Sequence, residues 1–169
     1  MNHTYSIVVS RTVVAMLAAF LLAAVFPETS SAQTDPSIGT WKLNLAKSIY
    51  NPGPAPKSVT FTTEVADQGL RSTFEGLDAA GMPVPRVVFV VTPDGQPHVV
   101  TGSPNFDSST VKRVDPYIQV YTISKAGNVV TRGTIVLSPD GRTMIIHGIG
   151  VAGFTGVPQS DNVSVYEKQ

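Results

Sequence analysis

Apolar and β-branched residues recur along the chain in short runs of five to nine, and each run ends in a turn that contains Gly, Pro, Asn or Asp. Runs rich in Val, Ile, Thr, Phe and Tyr that are separated by such turns are typical of consecutive β-strands. The pattern therefore predicts about ten strands, whose ends are placed to within about two to four residues. The predicted strands cover residues 38–45, 58–65, 70–77, 84–91, 97–101, 109–114, 117–124, 129–137, 143–150 and 161–167.

The links between these strands are short, and several carry residues that favour tight turns. Such turns lie at residues 67–69, 80–81, 93–95, 126–128 and 139–141. Short links join antiparallel neighbours, so the chain is predicted to form an antiparallel meander. The longer link at 46–57 carries three prolines, which leave room for no more than one turn of helix.

The fold class follows from the number of strands and from the lack of a helical pattern. After residue 33 no long apolar period of about 3.6 residues occurs, so no helix is predicted to cover the sheet. Many short strands without a covering helix favour a closed barrel, because closure removes exposed edges. We therefore expect an all-β fold, an antiparallel up-and-down β-barrel of about eight to ten strands, with a β-sandwich as the alternative.

Alternation of apolar and polar residues predicts which faces of the strands are buried. Trp41 and Leu43 share one face of the first strand, and Val59 and Phe61 share one face of the second. Residues 87–91, in contrast, are apolar on both faces. Such a strand is either covered on both sides or presents its outer face to a protein partner. The stretch comprises Val87, Val88, Phe89, Val90 and Val91.

The N-terminal region has the pattern of a secretory signal peptide. Residues 12–26 are apolar and uncharged, Arg11 precedes them, and a polar stretch follows them. The small residues that end this stretch predict cleavage after Ala32, which leaves one domain at 33–169. A membrane anchor is the alternative, but the apolar run is shorter than the roughly twenty residues that span a bilayer. We therefore expect a periplasmic or secreted protein.

Charge and cysteine content narrow the range of partners. The chain has 12 basic and 12 acidic residues, and removal of residues 1–32 leaves the two counts equal. Nucleic acid and anionic membrane surfaces are therefore poor partners, since both require a basic surplus. The chain contains no cysteine, so the domain depends on its core and its backbone pairing rather than on disulfides.

Both ends of the predicted domain carry motifs of a known fold family. The segment Gly39-Thr40-Trp41-Lys42-Leu43 resembles the opening GxW strand of lipocalins and intracellular fatty-acid-binding proteins, and Val165-Tyr166-Glu167-Lys168 resembles the closing strand of the fatty-acid-binding group. With its Asn51-Pro52-Gly53-Pro54 segment, the chain also resembles small secreted bacterial proteins of unassigned function. The resemblance implies a calycin-type barrel that binds a small hydrophobic ligand.

The resemblance also implies where a ligand would be held, and this chain departs from the pattern there. In the fatty-acid-binding group, an Arg and a Tyr on the last strand hold the ligand carboxylate. Here Ser164 occupies the Arg position and Tyr166 is retained. A serine cannot replace a guanidinium as the partner of a carboxylate. We expect Trp41 and Tyr166 to be core residues at the closed end of the barrel, and direct ligand contact is the alternative.

Two arginines are further candidates for ligand binding. Arg113 and Arg132 lie in or beside predicted strands, where each points either outward or into the barrel. An inward arginine would need a partner and would mark a polar group of the ligand. The predicted ligand-binding residues are Trp41, Arg113, Arg132, Ser164 and Tyr166.

Other motifs give no positive prediction of a cofactor or a metal. Residues 148–153 match GxGxxG, but no helix follows them, so a flexible link into the last strand is the simpler interpretation. His98 and His147 have no second ligand at a metal-binding spacing, and we predict neither metal nor cofactor.

Three functions remain as hypotheses. The first is a periplasmic or secreted barrel that binds a small, largely apolar molecule. The second is a structural or protein-interaction domain of the cell envelope, with a filled core and a partner surface such as residues 87–91. An enzyme comes third and stays uncertain, since the sequence shows no nucleophile elbow and no paired catalytic acids.

Overall fold

The computed structural model describes residues 35–151 and 160–169. In these residues the chain forms eleven β-strands and a single turn of 3₁₀ helix at Leu45–Lys47. None of the helical structure in these two ranges is long and apolar enough to cross a membrane. The strands are β1 (Gly39–Leu43), β2 (Ile49–Asn51), β3 (Ser58–Ala66), β4 (Gly69–Leu77), β5 (Val87–Val91), β6 (Asp94–Thr101), β7 (Ser108–Arg113), β8 (Ile118–Lys125), β9 (Asn128–Leu137), β10 (Thr143–Gly150) and β11 (Ser160–Lys168).

Ten of the strands form a closed antiparallel barrel. From β3 to β11 each strand pairs with the next along the chain, and β1 pairs with both β3 and β11. Trp41 lies opposite Phe61 on one side and Lys168 on the other, so β1 closes the ring. The predicted fold class is confirmed as a barrel rather than a sandwich, and all ten predicted strands are present.

The strand β2 lies outside the ring of ten and was not predicted. It occupies the Pro-rich link and pairs with the first half of β11, while β1 pairs with the second half. The 3₁₀ turn separates β1 from β2. Ser48 bridges this break, because its hydroxyl donates to the carbonyl of Asn44 at 2.7 Å and accepts from the amide of Val165 at 2.9 Å. A strand of three residues is too short to produce a recognisable alternation.

The two ends of the barrel are built differently. At the first end lie the turns after β3, β5, β7 and β9 together with residues 35–38. At the second end lie β2, the loops 78–86 and 102–107, and the turn after β8. The main apolar cluster lies toward the first end and contains Trp41, Leu137 and Met144, none of which is more than 2% exposed. The indole of Trp41 donates to the carbonyl of Ser37 at 2.9 Å.

Two segments singled out in the sequence lie wholly or partly outside the described residues. The predicted signal peptide, with its cleavage site after Ala32, lies outside the described residues and stays a prediction. The GxGxxG stretch lies partly outside them as well, but Gly148 and Gly150 belong to β10 and pair with β9 and β11. The predicted strand at 143–150, which contains both glycines, is confirmed, and their other interpretation as part of a flexible link was wrong.

Candidate functional site

The barrel interior contains a cavity of about 180 Å³. Alternate side chains of the barrel strands point inward and line this cavity, as the two-residue period of a strand requires. Ser37 and Pro93 contribute from the first end, and Pro56 and Phe106 contribute from the second. The interior is therefore partly open rather than filled completely by side chains.

One side of the cavity is a row of four phenylalanines, which we call the aromatic wall. Phe61, Phe74 and Phe89 come from β3, β4 and β5, and Phe106 comes from the loop after β6. Neighbouring ring centres lie 4.2, 5.5 and 5.9 Å apart along the row. These separations are close to those of favourable aromatic pairs. The wall presents a continuous apolar surface to the cavity.

The side formed by β7 to β11 carries hydroxyl and amide groups among the aliphatic side chains of Val111, Ile123, Ile135 and Ile146, and we call it the polar wall. In a ring of ten strands, the strand opposite any given one is five places away, so β8 faces β3 and β9 faces β4. The strands β8 to β11 therefore lie opposite β3 to β6, and β7 lies opposite β1. The polar wall consists of Ser109, Gln119, Tyr121, Thr131, Asn162 and Ser164.

Three tyrosines converge on the cavity and remain neutral. The hydroxyl of Tyr50 lies 3.0 Å from that of Ser164. Burial raises the pKa of Tyr50, and burial together with the nearby phenols of Tyr50 and Tyr121 raises the pKa of Tyr166. Burial also raises the pKa of Tyr121 to about 12. All three side chains therefore offer uncharged phenols at physiological pH.

Two glycines make room for Tyr121 in the inner wall. Gly133 pairs with Tyr121 across the β8–β9 ladder and with Gly148 across the β9–β10 ladder. A Cβ at Gly148 would lie 2.6 Å from the Tyr121 hydroxyl, and one at Gly133 would lie 2.9 Å from the Tyr121 ring. The phenol lies over this gap and donates to the carbonyl of His147 at 3.2 Å.

Gln119 has a buried polar group that no described residue satisfies. Its side chain lines the cavity from β8 and the residue is only 5% exposed. The Nε2 atom has no hydrogen-bond partner in the described parts of the chain. A buried donor without a partner costs about 1–3 kcal/mol, and for that reason it is uncommon in folded proteins.

Charged groups do not line this cavity. Among the described residues around it, none is Asp, Glu, Lys, Arg or His. His147 lies on the outer face of β10, with its Nε2 atom 2.8 Å from Oδ1 of Asp161, and His98 lies 3.4 Å from Oδ1 of Asp94. In residues 35–151 and 160–169, no three His, Asp or Glu side chains gather closely enough to hold a metal ion.

The five residues predicted to bind a ligand lie in different places. Ser164 and Tyr166 line the cavity side by side with Tyr50. Trp41 is fully buried in the cluster beside the cavity. Arg113 points inward at the first end, where its guanidinium forms an ion pair with Asp35, and Arg132 is exposed on the outer face of β9. Their roles in ligand binding stay predictions.

The stretch predicted as a possible partner surface is divided between the two faces of β5. Val87, Phe89 and Val91 point inward, while Val88 and Val90 point outward and are half-buried. The strand is paired on both sides, with β4 and β6. The role of this surface in binding a protein partner stays a prediction.

Three of the cavity residues that sequence reasoning missed are Tyr50, Gln119 and Tyr121. Tyr50 was overlooked because it lies in β2, which the sequence did not reveal. Gln119 and Tyr121 lie in a strand that was predicted, and their alternation with Ile123 was a usable signal for one shared face. A glutamine on an otherwise apolar face marks an unusual polar position in the core.

Comparisons with models of protein families, with curated proteins and with solved structures found no match to this chain. The closed antiparallel barrel of ten strands is compatible with a calycin-like fold.

Proposed function

We propose that this barrel binds a small, uncharged and largely apolar molecule in its cavity, in the manner of a lipocalin-like carrier. The observation that carries the proposal is the interior space of about 180 Å³ between an aromatic wall and a polar wall. An envelope domain that acts only through its surface has no need of such a space. The cavity therefore favours ligand binding over the alternative of a filled core.

The size of the cavity limits the size of the ligand. An engineered protein cavity of about 150 Å³ binds benzene, whereas pockets for drug-sized ligands are about 300–1,000 Å³. At about 180 Å³ the cavity suits a single ring with small substituents. A long-chain fatty acid would exceed this volume.

The lining of the cavity argues for an uncharged ligand. Burial of an ion without a partner is costly, and the described lining residues include no charged side chain to provide one. Ser164 and the neutral phenols of Tyr50 and Tyr166 line the cavity beside β11. The resemblance to the fatty-acid-binding group implies that the last strand holds the polar group of a ligand, and here that strand offers only uncharged groups. The predicted signal peptide supports a periplasmic or secreted location for this binding.

The test is native mass spectrometry of the mature protein purified from its own host, before and after extraction with organic solvent. We expect an additional mass that disappears on extraction. The matched variants are Ser109→Leu, which fills the cavity, and Ser108→Leu, which makes the same change on the outer face of β7. The extra mass should be lost in the first variant and retained in the second, while circular dichroism shows that both variants fold.

A protein that carries no extra mass, and that binds none of a panel of small apolar compounds, would contradict the proposal. So would a bound mass that Ser109→Leu and Ser108→Leu affect equally, because the ligand would then lie outside the cavity.

A further inference from the structure

We infer that the cavity selects an aromatic molecule bearing a hydrogen-bond-accepting oxygen, and that the side-chain amide of Gln119 donates to this oxygen. The inference rests on the proposed function, because it names the class of ligand for the same cavity. It begins from the buried Nε2 atom of Gln119, which has no partner among the described residues.

The neighbours of Gln119 cannot satisfy its amide protons. The residues across the ladder from Gln119 are Arg113 on β7 and Ile135 on β9. A guanidinium has donors only, and that of Arg113 is engaged with Asp35. The side chain of Ile135 is apolar. An acceptor for Gln119 must therefore come from within the cavity.

Several other polar groups around the cavity already have partners. The hydroxyls of Tyr50 and Ser164 bond to each other, and that of Tyr121 bonds to a backbone carbonyl. The hydroxyl of Ser160 donates to the carbonyl of Gly150 at 2.7 Å. These groups keep their hydrogen bonds when an apolar molecule fills the space, whereas the Gln119 amide stays without a partner. The amide thus offers a donor that is already desolvated and that gains a bond when a suitable ligand enters.

The opposite wall defines the rest of the ligand. Gln119 lies on β8, which faces β3 across the ring, and Phe61 and Phe74 come from β3 and β4. A flat ring that packs on these phenyl groups makes favourable aromatic contacts over one side. A substituent oxygen on such a ring then lies toward the amide. An aromatic ketone, aldehyde, ether or phenol has this arrangement.

The experiment compares acetophenone with isopropylbenzene, which has a similar shape but no acceptor. Both are titrated by calorimetry into the mature wild-type protein, into Gln119→Met and into the control Gln68→Met, whose glutamine is exposed in the turn after β3. We expect Gln119→Met to weaken acetophenone binding about fivefold to tenfold, because the variant loses one buried hydrogen bond to the ligand. Binding of isopropylbenzene should stay unchanged or improve, and Gln68→Met should leave both affinities unaltered.

A second measurement avoids any dependence on the folding of a variant. In the ¹⁵N spectrum of the wild-type protein, the side-chain amide signal of Gln119 should move downfield with acetophenone and much less with isopropylbenzene. The inference would be overturned if Gln119→Met changed the affinities for both compounds equally, or if both compounds moved the Gln119 amide signal equally. Either result would leave the proposal of ligand binding intact. If neither compound binds, this ligand class is wrong, and the extraction experiment then decides separately whether the cavity holds a ligand.

Discussion

At the scale of single residues, the inner wall shows how small residues are used to place a large one. Tyr121 needs space on two neighbouring strands, and Gly133 and Gly148 provide it in register. Glycine within a strand is otherwise unfavourable, because it adds no packing and loses more backbone entropy. The two glycines are therefore explained by the phenol that lies over them, which fixes one side of the cavity.

Substitution of these glycines should displace Tyr121 and destabilise the barrel. Gly148→Ala would place a Cβ 2.6 Å from the phenolic oxygen, and Gly133→Ala would place one 1.9 Å from the carbonyl oxygen of His147. A rigid backbone atom yields less readily than a side chain. We expect losses of about 1–2 kcal/mol in the free energy of unfolding for Gly148→Ala and about 3 kcal/mol for Gly133→Ala.

Urea denaturation measures both losses, and the near-ultraviolet circular dichroism of the tyrosines reports the displacement. Gly53→Ala is the control, because the nearest atom to an added Cβ there is 3.9 Å away. If Gly148→Ala were as stable as Gly53→Ala and kept the tyrosine signal, the explanation of the glycine pair would be wrong.

At the scale of elements, the break between β1 and β2 is the least regular part of the barrel wall. In a continuous strand, backbone groups would bond to both the amide and the carbonyl of Val165. Here the amide of Val165 donates to the hydroxyl of Ser48, and its carbonyl accepts from the amide of Asn44. The 3₁₀ turn packs against β11 at this point, and Val165 is 8% exposed. One hydroxyl thus maintains the pairing where the backbone leaves the sheet.

Removal of this hydroxyl should cost more than its small size suggests. Ser48→Ala leaves the buried amide of Val165 without its acceptor, and we expect a loss of about 1–3 kcal/mol in the free energy of unfolding. Ser58→Ala, at an exposed position that begins β3, is the matched control and should change stability by less than about 0.5 kcal/mol. Hydrogen exchange at Val165 should accelerate in the first variant alone. Equal stabilities of the two variants would show that the hydroxyl bridge is dispensable.

The elements were largely predictable from the sequence because their signals are local. A run of β-branched residues between two turns identifies a strand without knowledge of its neighbours. β2 escaped prediction because three residues among prolines show no period. The strand predicted at 143–150 includes Gly148 and Gly150, and only their second interpretation, as part of a flexible link, was wrong. That interpretation arose because glycine is typical of loops, and the position of Tyr121 two strands away explains Gly148 within a strand.

At the scale of the whole molecule, the cavity arises from register and closure, which no local pattern reveals. The four phenylalanines of the aromatic wall are 13 to 17 residues apart in sequence, and only the pairing of β3, β4 and β5 with the loop after β6 makes them neighbours. The polar wall faces them because the ring has ten strands. The importance of Gln119 likewise depends on what lies beside it and across from it.

The first end of the barrel is tied together by an ion pair between distant parts of the chain, and this contact should make stability depend on pH. Asp35 precedes β1 and meets the guanidinium of Arg113 at the end of β7. Burial raises the pKa of Asp35, but hydrogen bonds from Ser37 and the charge of Arg113 outweigh this effect and leave the pKa lowered. The folded protein therefore holds this carboxylate ionised to lower pH than the unfolded chain does.

The sign of the effect follows from proton binding. Below the ordinary Asp pKa of about 4, the unfolded chain binds a proton at Asp35 more readily than the folded protein does, so acid favours unfolding. The stabilisation is complete above that value and disappears as the pH falls through the lowered folded pKa.

Between pH 7 and pH 3, urea midpoints of Asp35→Asn should therefore fall less steeply than those of the wild type. Asp67→Asn, at an exposed turn, should follow the wild type. Parallel curves for Asp35→Asn and the wild type would mean that other carboxylates govern acid unfolding and that closure of this end does not depend on the ion pair.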